Sequence, residues 1–122
     1  MPLAALLAHP DVALLARVLR ETPGTPQHEE PNYKWAAIAV TIRMGPHEPE
    51  LLLIKRSEHQ GDPWSGHIAC PGGRHEPHDA SLEVTAIRET REETAIDLAK
   101  HGRPLGTLDD LSPRTPYLPP II

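Results

Sequence analysis

An α/β fold is predicted by two patterns that alternate along the chain. Short runs rich in β-branched and aliphatic residues, among them Ile38, Val40, Thr41 and Ile42 and then Leu51-Leu52-Leu53-Ile54, have the length and composition of strands. Apolar residues at helical spacing precede them near residue 12, and a charged helical run follows them near residue 88. A chain of 122 residues is one domain at most. It can bury about 65% of its unfolded surface, enough for a single modest core.

The elements follow in order. Asp11 to Glu21 put Val12, Leu15, Val18 and Leu19 on one stripe behind Asp11 as N-cap, which predicts a short amphipathic helix packed on the domain. Thr22-Pro23-Gly24-Thr25-Pro26 through Pro31 carries turn breakers and little apolar content. Residues 1–30 therefore read as an N-terminal helix with a Pro-rich linker, and 31–122 as the folded domain. Tyr33 to Arg43 and Glu50 to Arg56 read as strands of a hairpin, separated by Gly45-Pro46 and Pro49. Pro63-Trp64-Ser65-Gly66 turns into a third strand at His67 to Cys70. The next stretch, Pro71-Gly72-Gly73-Arg74, reads as a loop in which two glycines permit φ > 0 and a close backbone approach, suited to a phosphate or a buried metal shell.

From Ala80 or Ser81 to Thr94 a helix is predicted, capped by Asp79 or Ser81. Leu82, Ala86 and Ile87 are its core residues, and the small Thr85 and Ala86 leave room for a close strand. Ala95 stands where a left-handed helix end favours glycine, so the exit either bends differently or carries strain near 1 kcal/mol. Leu105 to Leu108 reads as one further short strand. The chain then stops as a new apolar segment starts at Ile121-Ile122, so the fold is expected to be only the N-terminal portion of a longer one, with exposed apolar edges that promote self-association.

Charge and cysteine content exclude several functions. A net charge of −5 with pI near 5.9 leaves no basic stripe for nucleic acid. Cys70 is the sole cysteine, in the apolar context Ile68-Ala69-Cys70, which reads as a buried strand position in a reducing cytoplasm. The apolar start at Met1 to Pro10 has no basic flank, and no run approaches the roughly 18 apolar residues of a membrane span. His47, His59, His67, His75, His78 and His101 lack paired metal spacing, so no zinc site is predicted.

The chemistry concentrates in Arg88-Glu89-Thr90-Arg91-Glu92-Glu93. On a helix Glu89, Glu92 and Glu93 fall at i, i+3 and i+4, with Cβ atoms about 5–6 Å apart. Carboxylate oxygens at that spacing can converge on one hard divalent cation. Left to themselves they repel, by roughly 0.2–0.5 kcal/mol per pair, and they crowd the negative end of the helix dipole. Arg88 lies one residue before Glu89 and four before Glu92, placed to brace a carboxylate through two parallel hydrogen bonds. A plain solvated face of alternating charges is the competing account of such a helix.

Gly73, Asp79 and Arg88-Glu89-x-x-Glu92-Glu93-x-Ala95-Ile96 together resemble the Nudix box of the Nudix hydrolases. Four departures stand out: Asp79 in place of the first glutamate, eight residues instead of seven between it and Arg88, Thr90 for an aliphatic residue, and Ala95 for glycine. The altered spacing, with Leu51 to Ser57 and Pro71 to Ser81, is similar to the coenzyme A pyrophosphatase branch. That branch has His-x-Gly-Gln leading into Phe-Pro-Gly-Gly, where this chain has Ser65-Gly66-His67 and Cys70-Pro71-Gly72-Gly73.

The resemblance implies a Nudix-like α/β/α sandwich with a mixed sheet. It also implies Mg²⁺- or Mn²⁺-dependent hydrolysis of a pyrophosphate bond in a nucleoside diphosphate derivative, with coenzyme A or a related nucleotide as the small-molecule substrate. Metal neutralises the phosphate charge and activates water in such reactions. Glu89, Glu92 and Glu93 would then bind metal, Glu89 or a carboxylate outside the motif would be the base, and Arg88 would orient them. Gly72 and Gly73 would bring backbone near the site, and Arg56 and Arg74 would meet substrate phosphates, surface solvation being the alternative for both arginines. No nucleic-acid or membrane partner is expected; a homodimer accords with the family. Trp64, Tyr33 and Tyr117 read as packing residues rather than base-stacking ones, and Asp109 and Asp110 as a turn before Pro113. The competing function is a Nudix-like module that binds a nucleotide or a protein without turning it over, or an inactive fragment.

Overall fold

The computed structural model describes residues 2–25, 34–56, 60–61 and 66–111. Trp64, Tyr33, Tyr117 and Ile121-Ile122 lie outside the described residues. Helices α1 (Pro2–Ala8) and α2 (Pro10–Glu21) open the chain. Strands β1 (Ala36–Ile38), β2 (Ile42–Met44), β3 (Pro49–Leu51), β4 (Ile54–Lys55), β5 (Ile68–Ala69) and β6 (Gly72–Arg74) follow. Helices α3 (Leu82–Thr94) and α4 (Leu98–His101) complete the mixed helix and strand architecture, in keeping with the predicted α/β class.

Three segments build the strand layer, and each pairs with both others. Residues 36–44 pair through β1 with β6 and through β2 with β3. The run 49–55 pairs through β3 with β2 and through β4 with β5. All three pairs are antiparallel. Loop hydrogen bonds prolong them: Ala39 N donates to Pro71 O (2.8 Å), Leu52 N to Thr41 O (2.9 Å) and Arg56 N to His67 O (2.8 Å). The hairpin predicted around Gly45 is β2–β3, closed by Gly45 N donating to Glu48 O (2.9 Å) and braced across the strands by Arg43 and Glu50 (3.0 Å). The single strand expected over Tyr33 to Arg43 is divided in its described part, because its two halves serve different partners.

The glycine loop is corrected most clearly. Gly72 and Gly73 are not in the positive-φ region; they form β6 and pair with Ile38 and Ala37. Small size is what the position demands. A Cβ on Gly72 would run into the Ala37 carbonyl and stand 2.7 Å from Ile38 Cα.

Helix α3 packs on β1 and β6, which is where the small Thr85 and Ala86 were expected to admit a strand. Thr85, Ala86 and Thr90 are its buried residues, while Leu82 and Ile87 are half-buried. Ser81 is its N-cap, accepting from Val84 N (3.1 Å), which resolves the choice between Asp79 and Ser81. At the other end Ala95 adopts φ 65°, so the strained alternative holds.

The N-terminal helices depart from expectation in detail. His9 rather than Asp11 caps α2, its Nδ1 accepting from Asp11 N (3.2 Å), because Pro10 already occupies the first turn. Val12 is buried, but Val18 is exposed and falls off the stripe. Among the described residues Leu6, Val12, Ala37 and Ala86, together with Pro71, are the buried apolar residues, a thin core. Cys70 is half-buried, just beyond β5. Leu105 to Leu108 forms no strand; instead Thr107 O accepts from Gly24 N (3.0 Å), and Thr25 O accepts from Asp110 N (3.0 Å). No helix among the described residues is long and apolar enough to cross a membrane.

Candidate functional site

The site forms where the acidic side of α3 meets β6. Arg88 is its centre. A guanidinium has five N–H donors, and each has a partner here. Nε donates to Asp79 Oδ1 (3.0 Å), and Nη2 donates to Asp79 Oδ2 (3.0 Å) and to Arg74 O (3.1 Å). Nη1 reaches Glu89 Oε1 (3.1 Å) and the Glu92 carboxylate (3.2 and 3.3 Å). The two-toothed grip predicted for a neighbouring glutamate is therefore made with Asp79, and the remaining nitrogen alone serves both glutamates.

Asp79 is the residue that sequence reasoning missed. The sequence offers it as a helix cap and as the acid in place of the motif's first glutamate, without a site role; its side chain is only 1% exposed and lies beneath Arg88. Loop 76–79 folds it there: Asp79 N donates to Glu76 O (2.9 Å) while Glu76 N donates back to Asp79 Oδ2 (3.0 Å). Buried Thr85 adds a hydroxyl bond to Oδ2 (3.0 Å). The Arg88 hydrogen bonds hold the Asp79 carboxyl well below the usual carboxylate range, against the opposing effect of burial. In return, the hydrogen bond to Asp79 raises the hold of Arg88 on its proton. The usable sequence signal was position, since Asp79 stands six residues after Gly73, where the resembled motif has its first acid, with one residue more than the motif has before Arg88.

The three glutamates sit close to β6 but address different groups. Glu89 lies against Gly73, where an added Cβ would stand 2.7 Å from both carboxylate oxygens. Glu93 Oε1 accepts from Gly72 N (2.9 Å). Glu92 leans toward Arg88 and stays 54% exposed. So the close approach expected at the two glycines occurs, with carboxylates as the neighbours. Burial pushes the Glu89 carboxyl up; Arg88 opposes this, and the charges of Glu92 and Glu93 add to the rise.

That repulsion, only partly offset by Arg88, and the hard oxygen chemistry of the donors fit a divalent cation. The described arrangement does not bring three ligands together: among the described residues no group of three or more His, Cys, Asp or Glu side chains is gathered closely enough to hold a metal ion. Each carboxylate has turned to an N–H donor or a glycine face of its own.

Of the two arginines assigned to phosphate, Arg74 directly follows the glycines and is exposed, its carbonyl taken by Arg88. Arg56 ends the β4–β5 pair, where its carbonyl accepts from Gly66 N (3.1 Å). Asp109 is occupied elsewhere, its Oδ1 accepting from Thr25 N (2.8 Å).

The NUDIX domain family profile matches residues 32–120. An uncharacterized protein of Schizosaccharomyces pombe is 51% identical over 63 residues, covering 51% of this chain and 19% of that protein. A Yersinia enterocolitica protein named uncharacterized Nudix hydrolase NudL is 46% identical over 65 residues, 53% of this chain and 32% of its own length. Its namesake from Yersinia pestis is 42% identical over 82 residues, 67% of this chain and 40% of its own. The chain thus spans between a fifth and two-fifths of the length of these curated relatives. No solved structure matches it.

Proposed function

Because this chain belongs to the Nudix domain family, we propose that it hydrolyses a pyrophosphate bond in a nucleoside diphosphate derivative, with coenzyme A or a related nucleotide as substrate and Mg²⁺ or Mn²⁺ as cofactor. The family generally uses divalent metals. Residues 31–122 would form the catalytic domain, behind an N-terminal helix and linker at 1–30. The observation that carries the reading is the guanidinium of Arg88, fixed by Asp79 and aimed at Glu89 and Glu92 beside β6.

In this reading Glu89, Glu92 and Glu93 hold the cation. Bound there, it would neutralise phosphate charge and lower the pKa of the attacking water. Arg88 orients the carboxylates and carries no nucleophile. Glu89 also serves as the base, or passes that role to a carboxylate outside the motif; its raised affinity for a proton suits such a task. Gly72 and Gly73 bring backbone close to the metal-binding carboxylates, and Arg74 and Arg56 meet the substrate's phosphates.

The test is an assay of product release from coenzyme A, ADP-ribose, diadenosine polyphosphates and nucleoside triphosphates with Mg²⁺ or Mn²⁺, run beside Glu92→Gln. Turnover by the parent chain and a loss of roughly 100-fold or more in the variant are expected, since even groups outside a metal's ligand shell cost 10–100-fold. Turnover that survives the substitution overturns the site.

A second reading has one observation in its favour: the ligands are not gathered among the described residues. A module that binds a nucleotide or a protein without hydrolysis would show ligand-dependent melting and no product.

A further inference from the structure

The hydrogen bonds around Asp79 continue away from the carboxylates as well as toward them. We propose that His75 and Thr85 are positioning residues: His75 in its Nδ1–H form directs the Thr85 hydroxyl onto Asp79, and so locks the Arg88 fork that aims Glu89 and Glu92. The proposal rests on the role given above to those glutamates.

Three distances carry it. Thr85 Oγ1 lies 2.8 Å from His75 Nδ1, 3.0 Å from Asp79 Oδ2 and 3.2 Å from Ser81 O. A hydroxyl has one hydrogen to give and two lone pairs to receive with. Asp79 Oδ2 and Ser81 O are both acceptors. If His75 Nδ1 were bare, three acceptors would compete for a single hydrogen, and the shortest contact would draw it off the carboxylate. With Nδ1–H donating, the polarity runs one way: imidazole to hydroxyl, hydroxyl to carboxylate. Charge-assisted bonds of the last kind are about twice as strong as neutral ones, which favours this order.

The crowding on one oxygen explains why the relay matters. Asp79 Oδ2 receives three donors, Glu76 N, Arg88 Nη2 and Thr85 Oγ1, while Oδ1 receives Arg88 Nε alone, each at 3.0 Å. Removing the hydroxyl changes the balance of donors between the two oxygens of a carboxylate that is 1% exposed and lets it turn. Arg88 must then turn with it, and its Nη1 contacts to Glu89 and Glu92 go astray.

The backbone prepares each member. His75 N donates to Trp35 O (2.8 Å), extending the β6–β1 pairing and anchoring the imidazole beside α3. Thr85 is wholly buried on the face of α3 that packs on those strands. His78 lies on the opposite side of the acid, its Nε2 3.7 Å from Asp79 Oδ1 and 3.3 Å from Glu76 Oε2, and is 66% exposed. Both imidazoles lie within ion-pair range of Asp79, His75 Nδ1 at 3.9 Å, and it is the contact with Thr85 that assigns the relay to His75.

The decisive measurement is a long-range ¹H–¹⁵N correlation spectrum of the full chain near pH 8, with the His75 signals assigned by His75→Gln. A protonated Nδ1 is expected, unchanged in Thr85→Ser. A bare Nδ1 overturns the proposal without touching the hydrolase reading. Exchange of the Arg88 Nε hydrogen gives a second readout: about tenfold faster in Thr85→Val and within about twofold of the parent in Thr85→Ser. Equal exchange in the valine variant counts against the relay. With an active substrate, Thr85→Val and His75→Phe should lower kcat about tenfold with KM little changed, and Thr85→Ser should restore it. A role in folding alone would lower the melting temperature of Thr85→Val and leave the imidazole tautomer and kcat of the folded fraction as they were. Should no substrate be turned over, the tautomer and exchange readouts still decide the relay.

Discussion

Asp79 and Glu89 lie on either side of Arg88 and respond to it in opposite senses. The folded-state affinity of Asp79 for a proton is depressed, chiefly by its hydrogen bonds with Arg88. Its stabilising contribution is therefore present above its unfolded value of about 3.9 and is lost as pH falls below that. In thermal unfolding, Asp79→Asn should melt below the parent by a constant margin between about pH 5 and 7, and the margin should narrow under about pH 4. Burial raises the affinity of Glu89 instead. Stability tied to that group is full below its unfolded value of about 4.3 and declines as pH rises through the folded one. Glu89→Gln should thus melt higher than the parent at pH 7, by roughly 0.2–0.5 kcal/mol for each like-charge neighbour removed, while abolishing hydrolysis. Its advantage should vanish in acid; a variant less stable at neutral pH would show that the glutamate is not under strain.

At the scale of elements, the ends of α3 and the strand beneath it set the site. Ser81 caps the first turn, and Ser81→Ala should cost about 1 kcal/mol in denaturant unfolding. Ala95 closes the last turn at φ 65°, a conformation that disfavours a Cβ. Ala95→Gly should stabilise by about 0.5–1 kcal/mol, the relief of strain less the greater freedom of glycine when unfolded. In β6 the constraint reverses. Gly73→Ala puts a methyl against the Glu89 carboxylate, so it should reduce turnover well beyond its effect on melting. An alanine at 73 with full activity would mean that Glu89 can move away without consequence.

At the scale of the whole molecule, the described residues join a thin buried core to many exposed apolar side chains, including Leu51, Leu53, Ile68, Leu108 and Leu111. Such a surface favours association, so light scattering is expected to give a mass above 13.4 kDa that rises with concentration. A cation that binds the folded chain alone should stabilise it by about 2.7 kcal/mol at a concentration 100 times its Kd. Melting curves with Mn²⁺ should show that gain, and Glu92→Gln should remove most of it. A melting point indifferent to metal in the parent would deny the glutamates their assigned role.

Read alone, the sequence determined the class of fold, the hairpin about Gly45 and the helix bearing Arg88, and it narrowed the exit at Ala95 to a different bend or left-handed strain. These follow from local periodicity and turn chemistry, which operate within a few residues. It also marked the acidic cluster, because i, i+3 and i+4 spacing is a property of one helix. Tertiary structure decided the rest. Whether Gly72 and Gly73 form a loop or a strand depended on β1, more than thirty residues earlier. Which acid takes the Arg88 fork depended on loop 76–79 folding Asp79 under α3, and the Thr85 and His75 contacts arise only when that helix lies on β6. A buried carboxylate takes the donors that packing brings to it, and no spacing along the chain lists them in advance.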